Sequence, residues 1–256
     1  MGEPQADTVY QGDCVEIMRA WPDACVDACI TDPPFNMSAR PPLAWAFSSH
    51  VTMREAWDSF SQDDFWKFSV EWLREVARVV RPNGNILVFG TFHSVYQTGF
   101  ILQALGLKIV NSIVWYKPNA QPNITCRTLT ESTEHIVWAV NNSPRRARGW
   151  TFNYEVSKEI GEGRQLRNVW PFPVTPARER NHGKHPTQKP LALVERLVRL
   201  MTREGDLVAD CFAGTGTLAL AARRHRRHWV LVERSPDYAE IIRRRLEEQA
   251  CARALP

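Results

Sequence analysis

The sequence predicts a single α/β domain with a parallel β-sheet covered by helices on both faces. Six short apolar runs alternate with segments of helical periodicity along the 256 residues, as in parallel sheets whose strands are joined by helices. A glycine-containing loop, DCFAGTGT at residues 210–217, follows one apolar run and precedes a helical segment. Sheets of this class bind ligands at such turns, outside the carboxyl ends of their strands.

The short apolar runs are bounded by polar residues or glycine, which is typical of buried strands. The predicted strands cover residues 26–32, 85–90, 109–116, 135–140, 207–212 and 228–233. The predicted helices cover residues 63–80, 191–201, 218–225 and 235–249. Pro82, Asn83 and Gly84 end the first helix, and Ser235 with Pro236 forms an N-cap and first-turn pair for the last.

Two long segments lack a strong period. Residues 36–57 are rich in Pro, Ser and Ala and predict a mobile loop, whereas residues 118–184 are rich in Arg, Asn and Pro. Long irregular segments within a compact domain are usually functional or disordered. We therefore expect at least one of them to contribute to binding.

The composition is that of an ordinary globular protein, with 44% hydrophobic and 23% charged residues and a mean hydropathy of −0.35. No apolar run approaches the roughly 18 residues of a membrane span, and the N-terminus lacks the apolar stretch of a secretory signal. The six cysteines form neither a CxxC pair nor a zinc-ligand spacing, so we expect reduced thiols, no metal and a cytoplasmic protein.

Charge is distributed unevenly along the chain. Residues 1–143 carry a net charge of −5, residues 144–189 carry +6 and residues 190–256 carry +3. Aromatic residues are interleaved with the basic ones in the middle segment, which is compatible either with nucleic-acid binding or with a solvated basic face. The segment's charge alone does not decide between the two.

The glycine loop indicates a nucleoside-containing cofactor. Glycines at a strand-to-helix turn allow a ligand to approach the backbone, and Glu233, nineteen residues after Gly214, could accept hydrogen bonds from both ribose hydroxyls. The dinucleotide pattern GxGxxG is missing because Leu218 and Ala219 stand where its last glycine would be, and no GxxxxGK[ST] loop is present. These absences disfavour a nicotinamide dehydrogenase and an ATP-binding protein.

A second motif, DPPF at residues 32–35, follows a predicted strand. Two prolines remove two backbone donors, so Asp32 and the nearby carbonyls present only acceptors beside the ring of Phe35. Such a site suits a planar amine that is stacked and loses hydrogen-bonding protons. A capping Asp before a proline turn, with Phe35 in the core, is the structural alternative.

These motifs together resemble the β-class DNA amino-methyltransferases. DPPF resembles their catalytic DPPY/DPPF motif, DCFAGTGT their S-adenosylmethionine loop, HPTQKP at residues 185–190 their signature upstream of that loop, and GDC at residues 12–14 their N-terminal element. Trp57-Asp58 and WYKP at residues 115–118 also fit. The order of the motifs is that of the β class, and Asp32, where cytosine-N4 enzymes usually have Ser, favours adenine N6.

The resemblance implies a Rossmann-like, S-adenosylmethionine-dependent methyltransferase fold that is circularly permuted. Its mostly parallel sheet has seven strands, one of which is antiparallel. It assigns catalysis to the DPPF motif, with Phe35 stacked on the target base. It assigns the cofactor to the GDC element, the glycine loop, Asp32, Glu233 on the ribose, and Thr187 with Lys189 on the methionine carboxylate. The catalytic candidates are Asp32, Pro33, Pro34 and Phe35, and the cofactor candidates are Asp13, Cys14, Asp32, Thr187, Lys189, Phe212, Ala213, Gly214, Thr215, Gly216, Thr217 and Glu233.

The resemblance further implies site-specific methylation of double-stranded DNA by base flipping, with residues 119–183 as the embedded target-recognition segment and residues 36–57 as the mobile active-site loop. Candidate DNA contacts are Arg145, Arg146, Arg148, Arg164, Arg167, Arg178 and Arg180. A homodimer and a cognate restriction nuclease are further expectations. Cytosine-N4 methylation and a non-catalytic nucleic-acid-binding relative remain as alternatives.

Overall fold

Eight strands form one mixed sheet in the computed structural model, which describes residues 2–38, 56–123, 126–142, 147–183 and 185–254. The strands are β1 (Thr8–Gln11), β2 (Val26–Thr31), β3 (Val80–Gly90), β4 (Lys108–Tyr116), β5 (Thr133–Val140), β6 (Val169–Pro171), β7 (Leu207–Asp210) and β8 (His228–Glu233). Their spatial order is β1-β8-β7-β2-β3-β5-β4-β6.

Strand β5 is antiparallel to both of its neighbours, and every other adjacent pair among the described strands is parallel. The mostly parallel sheet with one antiparallel strand is therefore confirmed, but with eight described strands rather than seven. The six predicted strands are present. The sequence patterns missed β1 and β6, because four and three residues are too few for a period to show.

Seven α-helices accompany the described strands. They are α1 (Cys14–Arg19), α2 (Gln62–Val79), α3 (Val95–Ala104), α4 (Tyr154–Ile160), α5 (Leu191–Met201), α6 (Thr217–Arg224) and α7 (Pro236–Ala254). The four predicted helices are α2, α5, α6 and α7. Helix α3 was missed because its apolar residues surround the helix instead of forming a stripe, and α1 and α4 are short.

Each face of the sheet contributes to its own apolar core. Along β3, Leu87 and Phe89 pack into one buried cluster while Ile86 and Val88 pack into the other, as the alternation of side chains in a strand requires. Helices α5 and α6 cover the first cluster, and α1, α2 and α3 cover the second. The sheet is thus buried on both sides.

The first and last strands of the chain are neighbours in the sheet. Thr8 of β1 is paired with Val230 of β8, and the Gly12 N–H donates to the Glu233 carbonyl over 3.0 Å. Because β1, β8, β7 and β2 run parallel, their carboxyl ends lie along one edge of the sheet. The GDC, glycine-loop and DPPF motifs and Glu233 lie at or directly after these carboxyl ends, so the fold brings all of them together.

Candidate active site

A cavity opens at the carboxyl ends of these strands. Its lining includes Asp13, Cys14, Asp32, Pro33, Pro34, Phe35, Thr187, Lys189, Phe212, Ala213, Gly214, Thr215, Thr217 and Glu233. Gly216, which was also predicted to bind the cofactor, does not line it. Gly216 has a φ of +73°, and a Cβ there would lie 2.9 Å from Ile242 of α7, so its role is to let α7 pack closely behind the loop.

The glycine loop is held against β8 by Glu233. One carboxylate oxygen accepts from the Gly214 N–H over 2.7 Å, and the other accepts from the Ser235 N–H over 2.8 Å. Burial raises the pKa of Glu233, and these backbone hydrogen bonds oppose the rise. Each oxygen keeps a second acceptor position, so the carboxylate can still accept from ligand hydroxyls.

The N-terminal element contributes through a helix cap. Asp13 Oδ1 accepts from the N–H groups of Val15 and Glu16 over 2.9 and 3.3 Å, which begins α1 at Cys14. Cys14 is buried, and burial raises its pKa well above the ordinary value. Its side chain therefore lines the cavity as a neutral thiol.

The Lys189 ammonium is surrounded by acceptors. It donates to Asp32 Oδ2 and, over 3.0 Å, to the Thr187 carbonyl, and it lies 3.4 Å from Glu134 Oε2 on β5. An ammonium has three donors, and two of them form these hydrogen bonds, whereas the contact with Glu134 is an ion pair. Lys189 therefore lies in the cavity wall, where it holds Asp32 and pairs with Glu134, and its contact with a methionine carboxylate stays a prediction. Thr187 lies nearby, with its N–H 3.3 Å from His185 Nδ1.

Glu134 is a member of this cluster that sequence reasoning missed. It also pairs with Lys117 over 3.3 Å, so two lysines and two carboxylates alternate from the end of β4 to Asp32. No motif or spacing along the chain links Glu134 to Asp32, because antiparallel pairing in the sheet brings them together.

Asp32 combines a raised pKa with an unused acceptor. Burial raises its pKa to about 6, although Lys189 lowers it, and Glu134 raises it further. Its Oδ1 atom is buried and has no hydrogen-bond partner. A buried acceptor without a partner is costly, and in a cavity wall it indicates a position where a ligand donor belongs.

Asp58 fixes the backbone that follows the DPPF motif. This fully buried carboxylate accepts four N–H groups over 2.7 to 3.0 Å, from Phe35, Asn36, Met37 and Ser38. Phe35 lines the cavity but is only 3% exposed and packs in the core. The ring is therefore held rigidly in the wall, and its stacking on a target base stays a prediction.

Three further rings extend the wall of the cavity. The rings of Trp57 and His185 are stacked with their centroids 5.5 Å apart, and the ring of Tyr238 contacts His185 edge-on at a centroid distance of 4.6 Å. Burial, aided by Lys189, lowers the pKa of His185 to about 4, so its imidazole is neutral at pH 7. Trp57 and His185 belong to motifs visible in the sequence, whereas nothing in the sequence placed Tyr238 beside them.

The basic middle segment is more regular than its composition suggested. It contains α4 and the edge strand β6, which pairs with β4. Arg148, Arg164, Arg167 and Arg178 are exposed, and Arg180 donates to the Thr175 carbonyl over 2.7 Å. Arg145 and Arg146, like most of the predicted mobile loop at 36–57, lie outside the described residues. Within the described part of the chain, no helix could cross a membrane and no cluster of side chains could hold a metal ion.

Comparison with known proteins identifies relatives along almost the whole chain. A family model described as DNA methylase (N6/N4 methyltransferase) matches residues 26–244. The chain is 36% identical over 243 residues to the type II methyltransferase M2.DpnII of Streptococcus pneumoniae, covering 94% of this chain and 90% of the relative. It is 33% identical to the type II methyltransferase M2.MboI of Moraxella bovis, covering 94% and 87%.

A solved structure supports the same assignment. The crystal structure of the M1.HpyAVI–SAM complex superposes with a TM-score of 0.71 at 28% sequence identity, covering 93% of this chain and 98% of that chain. The family match, the relatives and the shared fold agree with the motifs collected around the cavity. This chain therefore belongs to the DNA methylase family and is a DNA methyltransferase.

Proposed function

We propose that this protein transfers a methyl group from S-adenosylmethionine to adenine N6 at a specific site in double-stranded DNA. The observation that carries the proposal is the unpartnered Oδ1 atom of Asp32, a buried acceptor in the cavity wall beside Pro33 and Phe35. An exocyclic amine is a donor of the kind that this position lacks.

The residues of the cavity fit the proposed cofactor. Glu233 would accept from the ribose hydroxyls, and Asp13 and Cys14 would contact the adenine ring. The methionine part would lie against the residues of the glycine loop that line the cavity, which are Phe212, Ala213, Gly214, Thr215 and Thr217. Gly214 has no Cβ that would occupy the cavity, and its φ of +52° suits glycine. When bound, S-adenosylmethionine supplies an electrophilic methyl group on a sulfonium.

The chain's own residues then orient and deprotonate the target amine. Asp32 and the Pro33 carbonyl accept hydrogen bonds from the two N6–H groups, which directs the nitrogen lone pair toward the methyl group. As the methyl group is transferred, one N6 proton passes to the Asp32 carboxylate and the other stays on the methylated nitrogen. Lys189 keeps the Asp32 carboxylate in place and favours its charged form. The fixed dipoles and the positioning of the amine supply most of the acceleration. A base within a duplex cannot reach this cavity, so the target base is flipped out of the stack.

The DNA contacts extend beyond the cavity. Residues 119–183 form the target-recognition segment, whose exposed arginines contact phosphates and base edges. The type II relatives support a role in restriction and modification. A cognate nuclease and a cytoplasmic location are further parts of the proposal. The resemblance to the β class supports a homodimer as the active form.

One labelling experiment tests the activity and the target atom. Duplex DNA of mixed sequence is incubated with S-adenosylmethionine that carries a tritiated methyl group, and the DNA is digested to nucleosides. We expect the label in N6-methyladenine, and labelling about 10²–10³-fold slower with the D32A variant as control. Label in N4-methylcytosine would replace adenine by cytosine as the target. A wild-type protein that labels no duplex would support the non-catalytic alternative.

A further inference from the structure

Helix α7 carries a buried charge in its inward-facing stripe. Ala239, Ile242, Arg245 and Gln249 recur at helical spacing and are each at most 9% exposed. Ala239 and Ile242 are apolar, as a packed face requires, but Arg245 carries a full positive charge and is only 6% exposed. A buried charge is costly unless its donors are engaged, so the interaction of Arg245 with its surroundings needs an explanation.

The donors of Arg245 are directed to the glycine loop. Its Nη1 atom donates to the Thr215 carbonyl over 2.5 Å, to Thr215 Oγ1 over 2.9 Å and to Thr217 Oγ1 over 3.3 Å. No Asp or Glu oxygen of the described residues lies within 4.0 Å of its guanidinium. Burial lowers the pKa of Arg245 to about 10, a value at which it still keeps its charge at pH 7.

The loop residues that Arg245 contacts face the cavity from the other side. Thr215 and Thr217 line the cavity. Gly214, which precedes Thr215, has a left-handed backbone conformation with a φ of +52°. Ile242, one turn before Arg245, packs where a Cβ of Gly216 would lie. The rear of the loop is thus fixed by α7, and its front is fixed by Glu233.

We propose that Arg245 is a positioning residue for the cofactor, which it does not touch: it holds the loop at residues 214–217 in the conformation that receives the methionine part of S-adenosylmethionine. The inference rests on the proposed cofactor. A leucine or methionine would cover the same face of α7 without the cost of burying a charge, but it would leave the Thr215 carbonyl and both hydroxyls without a donor.

The test compares three variants. R245M keeps an unbranched side chain and removes all donors, R245K restores one donor group, and R244M removes an exposed charge from the next residue, which pairs with Glu240. For each we would measure the affinity for S-adenosylmethionine by calorimetry, DNA affinity by anisotropy, and amide hydrogen exchange at residues 212–217 without ligand.

We expect R245M to weaken cofactor binding about ten- to hundredfold, the range for losing hydrogen bonds to a charged group. Exchange at residues 212–217 should accelerate while DNA affinity and exchange in β3 stay unchanged. R245K should recover part of the affinity, and R244M should match the wild type.

Unchanged cofactor affinity in R245M would overturn the inference, as would accelerated exchange throughout the protein with equal losses of cofactor and DNA affinity. A wild-type protein that does not bind S-adenosylmethionine would overturn the proposed function and this inference with it. If the wild type binds S-adenosylmethionine and R245M binds it with the same affinity, only this inference is overturned and the proposed function stands.

Discussion

Lys189 and Asp32 form a buried ion pair between residues that are 157 positions apart in the sequence. Asp32 follows β2, and Lys189 lies just before α5, so the pair connects the DPPF and HPTQKP motifs directly. The pair also determines which oxygen of Asp32 can accept a hydrogen bond from the substrate. Lys189 donates to Asp32 Oδ2, while Asp32 Oδ1 has no hydrogen-bond partner and can accept from the substrate.

Replacing Asp32 tests whether DPPF is the catalytic motif. D32A should leave cofactor affinity within a fewfold of wild type while the single-turnover rate falls about 10²–10³-fold, the range for losing one preorganised group. The loss appears in the rate because the hydrogen bond to N6 strengthens as the amine becomes tetrahedral. Rapid-quench methylation beside calorimetry measures both. A wild-type single-turnover rate in D32A would contradict the mechanism.

The pH dependence should report the Asp32–Lys189 pair. The pKa of Asp32 is raised to about 6, so its charged form is lost as the pH falls through 6. We expect kcat/KM to decrease about tenfold per pH unit below that value. K189M removes the charge that lowers this pKa, so the acid limb of the kcat/KM profile should move to higher pH. K158M removes a lysine of a surface ion pair and should leave the acid limb in place.

One neighbour titrates in the same range and needs a control. Burial raises the pKa of Asp210 to about 7, and Asp210 accepts from the Thr31 hydroxyl over 2.7 Å. D210N removes this titration and leaves that of Asp32. An acid limb that disappears in D210N, or that stays in place in K189M, would assign the limb to another group.

Gly214 should be indispensable for cofactor binding. Its φ is +52°, and a Cβ there would lie in ordinary contact with His185 at 3.6 Å, so the protein itself leaves room for the atom. G214V should nevertheless abolish cofactor binding because its branches enter the space for the methionine part. G205V is the matched control: it has a φ of +82° and open surroundings. Both should lose about 1–2 kcal/mol of stability to backbone strain, but only G214V should lose binding in calorimetry.

Asp58 should control the order of the backbone after DPPF. D58N leaves the two N–H groups that bond one of its oxygens without an acceptor, which should cost about 2–6 kcal/mol of unfolding free energy. Methylation should slow because Phe35 and its neighbours are no longer fixed. D64N removes an exposed carboxylate from the first turn of α2 and serves as the control. Equal denaturation midpoints for D58N and wild type would refute the role.

Phe35 should affect stability as well as DNA affinity. F35A removes a ring that is 3% exposed, and core truncations of this size cost about 3–5 kcal/mol. Losing the face toward the flipped base should weaken DNA binding by about a further 1–3 kcal/mol. F35Y keeps the ring and should stay active. Fluorescence anisotropy and urea denaturation separate the two effects; undiminished DNA affinity in folded F35A would exclude base stacking.

The sequence determined the parts of this protein whose signals are local. Apolar runs located β2, β3 and β8, the stripe of α2 located its buried face, and the glycine loop and DPPF were visible as continuous motifs. Such signals survive because side-chain periodicity and turn chemistry depend on residues a few positions apart.

Only the tertiary structure decided which distant groups meet. Glu134 reaches Lys189 because β5 crosses the sheet antiparallel, Asp58 returns to cap the backbone after Phe35, and α7 brings Arg245 behind the glycine loop. Folding also buries Asp32, and this burial raises its pKa and leaves its Oδ1 atom without a hydrogen-bond partner. Contacts between segments far apart along the chain leave no local pattern, so the geometry of the site arises with the fold.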